Sequence, residues 1–284
     1  KLYDMASEAV QKTIDQAGIN AQEIGCLVNT SVCRDYLEPS QASLIHGNLD
    51  LSPHCLNFDI TNACLGFVNG MEIVRSLIQM GKIKYGMVVS SEGSIKGMER
   101  TLRRIQDPNC TMETYRANFA TFTIGSGAVA MLLAHEDVSQ TEHVINGSVT
   151  MTDTANDHNK LCIANSDYSE MITDPQGLLI HGMPLAVKTW AKGTKNLENW
   201  SAETVDIYVP HQTSTRQIDA FAKNCRLPRD KFHLTLQTLG NVISAALPLT
   251  LASAIEKKAI KSGDHAALMG IGSGLNCTMM SVSW

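Results

Sequence analysis

Apolar residues recur every three or four positions from Leu2 to Ala17, which predicts an amphipathic helix that ends at Gly18. An almost entirely apolar stretch from Ala63 to Gly81 predicts a second, buried helix. Short apolar runs between and after these helices predict buried strands. The runs are Cys26 to Val28, Asn57 to Ile60, Gly86 to Ser91 and Gly127 to Ala134. Strands and helices that alternate at these lengths predict an α/β fold with buried sheets.

The second half of the chain repeats the first. The segment from Ala21 to Val28 aligns without gaps with Ala202 to Val209, and Cys64 to Ser91 corresponds to Asn241 to Gly270 as apolar helix, polar turn and strand. Strand-helix-strand units resemble one another in general, so coincidence is the alternative explanation. The repeat predicts two α/β halves, residues 1–140 and 141–284, and it places Cys64 and Asn241 at the start of equivalent helices.

Composition and charge narrow the class of protein. Hydrophobic residues make up 44% and charged residues 18% of the 284 positions, which excludes a disordered or fibrous chain. The net charge is -5, and no run of basic residues is longer than a pair such as Arg103-Arg104 or Lys257-Lys258. We therefore expect no nucleic-acid partner. Apolar stretches such as Val242 to Ile255 are too short to span a bilayer, so we expect no stable membrane anchor.

Cysteine and histidine spacing argues against a disulfide or metal framework. Eight cysteines occur without a C-x-x-C pair, and the nine histidines form no H-x-x-x-H set. We expect reduced thiols, a cytoplasmic protein and no bound metal.

Cys64 is the first candidate for chemistry. It stands in Asn-Ala-Cys-Leu-Gly, where a predicted strand ends and a buried helix begins. The positive end of the helix macrodipole favours the thiolate, which is the nucleophilic form of cysteine. The commoner role of a free cysteine is that of a small buried hydrophobic side chain. Its position alone leaves both roles open.

Two further candidates lie in the second half. His211 in Val-Pro-His-Gln follows a predicted strand and can exchange a proton or donate a hydrogen bond to an oxyanion. Asn241 in Leu-Gly-Asn offers an uncharged amide donor. A structural histidine and a helix N-cap asparagine are the alternative interpretations.

Two loops complete the set of candidates. The run Gly270-Ile271-Gly272-Ser273-Gly274 is followed by an apparent strand, so it does not fit a dinucleotide-binding motif. Such a glycine turn can instead direct backbone N–H groups at a substrate oxyanion.

Glu38 precedes Pro39 in the Arg34 to Ser40 loop, which predicts an extended backbone and a projecting carboxylate. Most glutamates of this kind are solvated surface groups.

Taken together and in this order, the motifs at Cys64, His211 and Asn241 resemble those of the thiolase superfamily, and specifically condensing enzymes of the ketoacyl-synthase III type. The Arg34 to Pro39 loop, the Gly270 to Cys277 run and the terminal Trp284 resemble the OleA type. Relatives in fatty-acid initiation usually carry Gly-Gly-Gly where this chain has Gly272-Ser273-Gly274. The family's first strand has no counterpart here, so we expect that a segment precedes Lys1.

The resemblance implies a five-layered αβαβα thiolase fold and a homodimer in which the Glu38 loop reaches the partner's active site. It implies that Cys64 is the nucleophile, that His211 and Asn241 bind the second carbonyl, and that the backbone N–H groups of Cys64 and Ser273 form an oxyanion hole. The OleA type joins two fatty acyl-CoA molecules head to head. Acyl-CoA would be a substrate, and no cofactor is expected.

Glu38 separates the possible reactions. Loss of CO2 from a malonyl thioester creates a carbanion without a base, whereas a simple acyl-CoA must lose an α-proton to a group such as Glu38. The glutamate therefore favours non-decarboxylative Claisen condensation to a 2-alkyl-3-ketoalkanoic acid. The alternatives are a 3-oxoacyl-ACP synthase III that uses malonyl-ACP and, less in keeping with the intact Cys-His-Asn set, a non-catalytic synthase-like subunit.

Overall fold

The computed structural model describes residues 1–166 and 170–284, and helices and strands alternate through both stretches. The helices are α1 Leu2–Ala17, α2 Gln41–Asn48, α3 Gly66–Gln79, α4 Ile95–Ile105, α5 Met112–Asn118, α6 Pro175–Asn196, α7 Thr215–Cys225, α8 Leu236–Leu239 and α9 Ala246–Glu256. The strands are β1 Ile24–Asn29, β2 Leu56–Asp59, β3 Tyr85–Glu92, β4 Gly127–Ala134, β5 Val144–Thr152, β6 Cys162–Ala164, β7 Met171–Thr173, β8 Ile207–Pro210, β9 His265–Gly272 and β10 Asn276–Ser283.

The chain forms two compact units. The first contains residues 1–93, 126–142 and 243–249, and the second contains residues 94–125, 143–242 and 250–284. The division into sequence halves near residue 140 stays a prediction.

The first unit is built on a sheet with the strand order β2-β1-β3-β4. Strand β1 pairs in parallel with β2 and β3, so that Val28 lies beside both Phe58 and Val88, and β4 pairs antiparallel with β3. Strand β3 is buried along its whole length, which is typical of a strand covered on both faces. Because β1, β2 and β3 run in the same direction, the segments that follow Asn29, Asp59 and Glu92 all leave from the same edge of this sheet.

The second unit has a sheet with the order β5-β10-β9-β8. Strands β8 and β9 are parallel, whereas β9, β10 and β5 are joined by antiparallel pairs. His211 follows β8 directly, and Ser273 lies in the turn between β9 and β10.

The same pairing pattern occurs in both units. Strands β1, β3 and β4 form a parallel pair followed by an antiparallel pair, and β8, β9 and β10 do the same. A parallel bridge between Tyr208 and Phe232 occupies the place that the β1–β2 pair has in the first unit. One detail of the predicted repeat is wrong. The α9 helix begins at Ala246 rather than at Asn241, because Ile243 has a left-handed φ of 50° that interrupts helical backbone.

All eight cysteines are free thiols. Burial raises the pKa of Cys26 and Cys277 to about 12 and that of Cys55 and Cys225 to about 11. These four side chains are therefore protonated at neutral pH and contribute as small apolar groups.

An aromatic cluster forms much of the core of the second unit. The ring of Trp190 on α6 is 5.0 Å from that of Trp200, 5.9 Å from that of Tyr208 and 6.5 Å from that of Phe221, and Trp190 is 6% exposed. Replacing Trp190 would leave a large cavity among these side chains.

Trp190→Ala should therefore lower the free energy of unfolding by about 3–5 kcal/mol, measured by urea denaturation. The control is Leu179→Ala on the same helix, where the side chain is 42% exposed. It should lower the same quantity by about 1 kcal/mol or less. An equal loss of unfolding free energy in both variants would show that the aromatic cluster does not stabilise the fold more than an exposed side chain does.

Candidate active site

A tight turn delivers Cys64 to the start of α3. Ala63 has a left-handed φ of 45°, and the Leu65 N–H donates to the Asn62 carbonyl at 2.9 Å. The chain thereby reverses between the end of β2 and the first helical residue, Gly66. Cys64 itself is half-buried, so its thiol combines partial access with the positive end of a buried helix.

Close packing fixes this helix N-terminus. The Phe67 N–H donates to Ser244 Oγ at 3.1 Å, which satisfies one of the amides that a helix start leaves without an intrahelical partner. A Cβ on Gly66 would lie 2.7 Å from the Thr30 carbonyl oxygen and 3.0 Å from Ser244 Oγ. Only glycine allows α3 to approach the end of β1 so closely.

Glu38 lies at the exposed tip of a loop with anchored ends. At the tip, Leu37 is 85% exposed and Tyr36 is 46% exposed. On one side, the Asp35 carboxylate accepts from the Leu2 N–H at 2.6 Å. On the other, Ser40 caps the N-terminus of α2. The carboxylate of Glu38 thus projects outward from a loop whose base is held in place.

Asp59, the last residue of β2, joins the Glu38 loop to the Cys64 segment. Its carboxylate accepts from the backbone N–H groups of Gln41 and Ala42 at 3.0 and 2.9 Å, and it lies 3.5 Å from the Arg34 guanidinium. Arg34 also donates to the hydroxyl of Thr61, three residues before Cys64. Both candidate segments of the first unit are therefore attached to one buried carboxylate.

In the second unit, His211 is a neutral histidine. It is 4% exposed, and burial lowers its pKa to about 4. Its backbone N–H donates to the Met269 carbonyl at 2.8 Å, which continues the β8–β9 pairing by one residue. An imidazole that stays uncharged at neutral pH can donate a hydrogen bond without adding positive charge.

Asn241 is held by the segment that precedes β4. Its N–H donates to the Thr123 carbonyl at 2.8 Å, and its carbonyl accepts from the Gly125 N–H at 2.9 Å. Gly240 has a φ of 69°, and a Cβ there would lie 2.7 Å from the Thr123 carbonyl oxygen. A Cβ on Gly125 would lie 1.9 Å from the Leu239 carbonyl oxygen. Two glycines therefore allow the contact that positions Asn241.

Sequence reasoning missed Gln212, which connects the two candidates of this unit. Its side chain is buried, and Oε1 accepts from the N–H groups of Thr235 and Leu236, each at 3.0 Å, at the start of α8. Its Nε2 donates to Thr250 Oγ1 at 3.0 Å. Since α8 leads into Asn241, Gln212 links the residue next to His211 with the helix that ends beside Asn241. The Val-Pro-His-Gln motif contains this residue, but its partners are too distant in sequence to be predicted.

Ser273 lies in the β9–β10 turn, as the predicted strand after the glycine run requires. Its carbonyl accepts from Asn276 Nδ2 at 3.3 Å, and the neighbouring Leu275 exchanges two backbone hydrogen bonds with Asp153 at 2.9 and 3.0 Å. The turn is thus fastened to the end of β5.

Over residues 1–166 and 170–284, no cluster of three or more histidine, cysteine or acidic side chains could hold a metal ion.

Comparison with known proteins identifies the family. Family models for 3-oxoacyl-[acyl-carrier-protein] synthase III match residues 58–154, and those for its C-terminal region match residues 196–284. The chain is 41% identical to the acyl-CoA:acyl-CoA alkyltransferase of Xanthomonas campestris, covering 99% of this chain and 82% of that protein. It is 36% identical to the protein of the same name from Shewanella oneidensis, covering 100% and 83%. The chain belongs to the OleA type of ketoacyl-synthase III-like enzymes.

Solved structures of OleA agree with this assignment. A cysteine-to-serine variant of Xanthomonas campestris OleA with bound lauric acid and lauroyl-CoA superimposes with a TM-score of 0.95 at 40% identity, covering 99% of this chain and 82% of that chain. Other structures of that OleA replace a cysteine, a histidine or a glutamate. The predictions of a thiolase fold with a duplicated α/β unit, of the OleA-type family and of an acyltransferase are confirmed.

Gly125→Ala should reduce product formation by this OleA-type enzyme about 10-fold or more, because a methyl group there must displace the backbone that carries Asn241. Turnover of acyl-CoA, followed by mass spectrometry, measures the loss. The matched control is Gly182→Ala on α6, where the added Cβ would meet only the Ile271 side chain at an ordinary 3.5 Å. Equal activity in the two variants would contradict the positioning of Asn241 by Gly125.

The lowered pKa of His211 predicts a dependence of stability on pH. Between about pH 6.5 and pH 4, the unfolded chain binds a proton at this residue that the folded chain does not, so the free energy of unfolding falls as pH falls through this window. His211→Gln removes this loss. The stability of the variant relative to the native protein should therefore rise by about 2 kcal/mol between pH 7.5 and pH 5 in urea titrations.

The control for that measurement is the same replacement at His54, which is exposed. A difference between native protein and His211→Gln that does not change with pH would mean that His211 titrates alike in the folded and unfolded chain.

Proposed function

We propose that this enzyme joins two long-chain fatty acyl-CoA molecules by non-decarboxylative Claisen condensation, and that the released product is a 2-alkyl-3-ketoalkanoic acid. The observation that carries the proposal is the position of Glu38. Among the structures of Xanthomonas OleA, the replaced glutamate precedes the replaced cysteine by the same number of residues as Glu38 precedes Cys64. A condensing enzyme that uses malonyl thioesters has no need of this base.

In the first half-reaction, the Cys64 thiolate attacks the carbonyl carbon of one acyl-CoA. A bond forms between Cys64 Sγ and the acyl carbon, the bond to the CoA sulfur breaks, and CoA leaves as a thiolate that takes a proton from water. The oxyanion of the tetrahedral intermediate accepts hydrogen bonds from the backbone N–H groups of Cys64 and Ser273. The location of Cys64 at the start of α3 supports its role as nucleophile.

In the second half-reaction, Glu38 removes an α-proton from a second acyl-CoA. The resulting enolate oxygen accepts hydrogen bonds from His211 and Asn241. The α-carbon then attacks the acyl-Cys64 carbonyl, a carbon–carbon bond forms, and the bond to Cys64 breaks to release its thiolate. Glu38 returns its proton to water. Hydrolysis of the remaining CoA thioester by water gives the β-keto acid and free CoA. The depressed pKa of His211 supports its role as a neutral hydrogen-bond donor.

The homodimer and the compartment are part of the same proposal. The Glu38 loop has an anchored base and an exposed apolar tip, with Leu37 85% exposed, as expected of a loop that inserts into a second subunit. In such a contact Glu38 would act on the substrate of the partner.

Eight free thiols support the cytoplasm as the compartment. Within the described part of the chain, none of the helices has the length and apolar character needed to traverse a bilayer.

The test uses the purified protein with myristoyl-CoA as the only acyl donor. Mass spectrometry should detect the coupled β-keto acid without any malonyl thioester. Cys64→Ala should abolish both acyl-enzyme and product, since no thiolate remains to accept the acyl group. Glu38→Gln should keep the acyl-enzyme and lower product formation about 100-fold or more, since an amide cannot accept the α-proton.

Cys110→Ala and Glu8→Gln are the matched controls, because they make similar chemical changes at residues to which the mechanism assigns no role. The match to 3-oxoacyl-[acyl-carrier-protein] synthase III makes decarboxylative condensation the second candidate. If coupled product appears only after malonyl-ACP is added, that candidate replaces the first and Glu38 becomes a loop residue.

A further inference from the structure

Glu92 is a buried carboxylate that the proposed mechanism does not use. It is the last residue of β3 and is 0% exposed. Burial raises its pKa to about 7, while backbone hydrogen bonds act in the opposite direction. An ionisable group in such a place is costly unless its hydrogen bonds are complete, so its contacts indicate what the side chain does.

Both oxygens of Glu92 accept from consecutive backbone amides. The Val32 N–H donates to Oε1 and the Cys33 N–H donates to Oε2, each at 2.9 Å. Only a carboxylate presents two acceptor oxygens side by side. Glutamine would pair with one amide and turn its own NH2 group toward the other N–H.

The two amides belong to the base of the Glu38 loop. Val32 and Cys33 directly precede Arg34, which pairs with Asp59 where the loop begins. Asp35, two residues after Cys33, is already held by the N–H groups of Leu2 and Tyr3. Glu92 therefore fixes the backbone at the point where the chain leaves the sheet and turns toward Glu38.

A third contact connects Glu92 with the Cys64 helix. The backbone N–H of Ser244 also donates to Glu92, and the hydroxyl of the same serine accepts from Phe67 at the start of α3. One carboxylate thus contacts the segment that leads to the loop and the residue that caps the helix. All of these groups lie within the first compact unit.

We propose that Glu92 is a positioning residue that fixes the base of the Glu38 loop, and with it the direction in which the loop presents Glu38, for the condensation step. This inference rests on the proposed function, because it assigns Glu38 to proton removal. It predicts that the two half-reactions respond differently to loss of Glu92. Acylation of Cys64 needs the α3 N-terminus, which keeps its Ser244 hydroxyl bond, whereas condensation also needs the loop.

The experiment compares native protein with Glu92→Gln, using myristoyl-CoA. Formation of acyl-Cys64, measured by intact mass and released CoA, should change less than about 3-fold, and formation of the coupled β-keto acid should fall about 10-fold or more. Amide hydrogen exchange across residues 30–40 should accelerate in the variant, because one of the two N–H groups loses its acceptor. Glu92→Asp keeps both oxygens on a shorter stem and should recover part of the condensation rate.

The control is Glu8→Gln, the same chemical change at an exposed site of the same unit. Equal loss of acylation and condensation would overturn the inference, since it would show a general structural role. Unchanged product formation and exchange in Glu92→Gln would overturn it as well. If Glu92→Gln does not fold, Glu92→Asp is compared with native protein and must show the same selective loss at reduced size. A native protein that forms no product without malonyl-ACP would instead refute the proposed function.

Discussion

In both units, backbone amides of loops and helix starts need hydrogen-bond acceptors, and buried side chains at the carboxyl ends of parallel strands supply them. Asp59 at the end of β2 accepts from the first amides of α2, and Glu92 at the end of β3 accepts from the amides before the Glu38 loop. In the second unit Gln212, just after β8, accepts from the first amides of α8. In each case a single buried side chain fixes a segment that lies next to a candidate catalytic residue in the sequence. Polar groups that the proposed reaction does not use therefore hold the backbone beside the candidate residues.

The duplicated unit uses the same frame for different chemistry. In the first copy, Cys64 follows strand β2 and lies two residues before α3. In the second copy, Asn241 is followed by a 3-10 turn at Ile243–Ala245, and α9 begins only at Ala246. Each copy keeps a parallel pair that positions the ends of its strands. The first copy holds the candidate nucleophile, Cys64, and the second holds the candidate hydrogen-bond donors, His211 and Asn241.

The local spacing of apolar residues was enough to predict the helices and strands in which that spacing is regular. The α1 helix, β4 and the location of Cys64 before α3 follow from spacing that is visible within a short window. Helix α2 escaped prediction because its short segment mixes Gln, Gly, His and Asn with few apolar residues. The partners of Glu92, Gln212 and Asn241 also escaped, because each contact joins residues from separate elements. The start of α9 was misjudged because the left-handed backbone of Ile243 has no signature in a β-branched residue. Family resemblance, rather than periodicity, gave the candidate residues their roles.

The distribution of the free thiols has a consequence for covalent chemistry with electrophiles. Cys26, Cys55, Cys225 and Cys277 are held in the protonated form by burial, and Cys33 is also buried. Cys64, Cys110 and Cys162 are half-buried, and Cys64 lies at the start of α3. An alkylating reagent the size of a fatty acyl group thus meets a protein in which most of its competing sulfur atoms are already withdrawn. The packing of the core therefore narrows the main targets of covalent inhibitors and activity-based probes to three thiols, which include the candidate nucleophile Cys64.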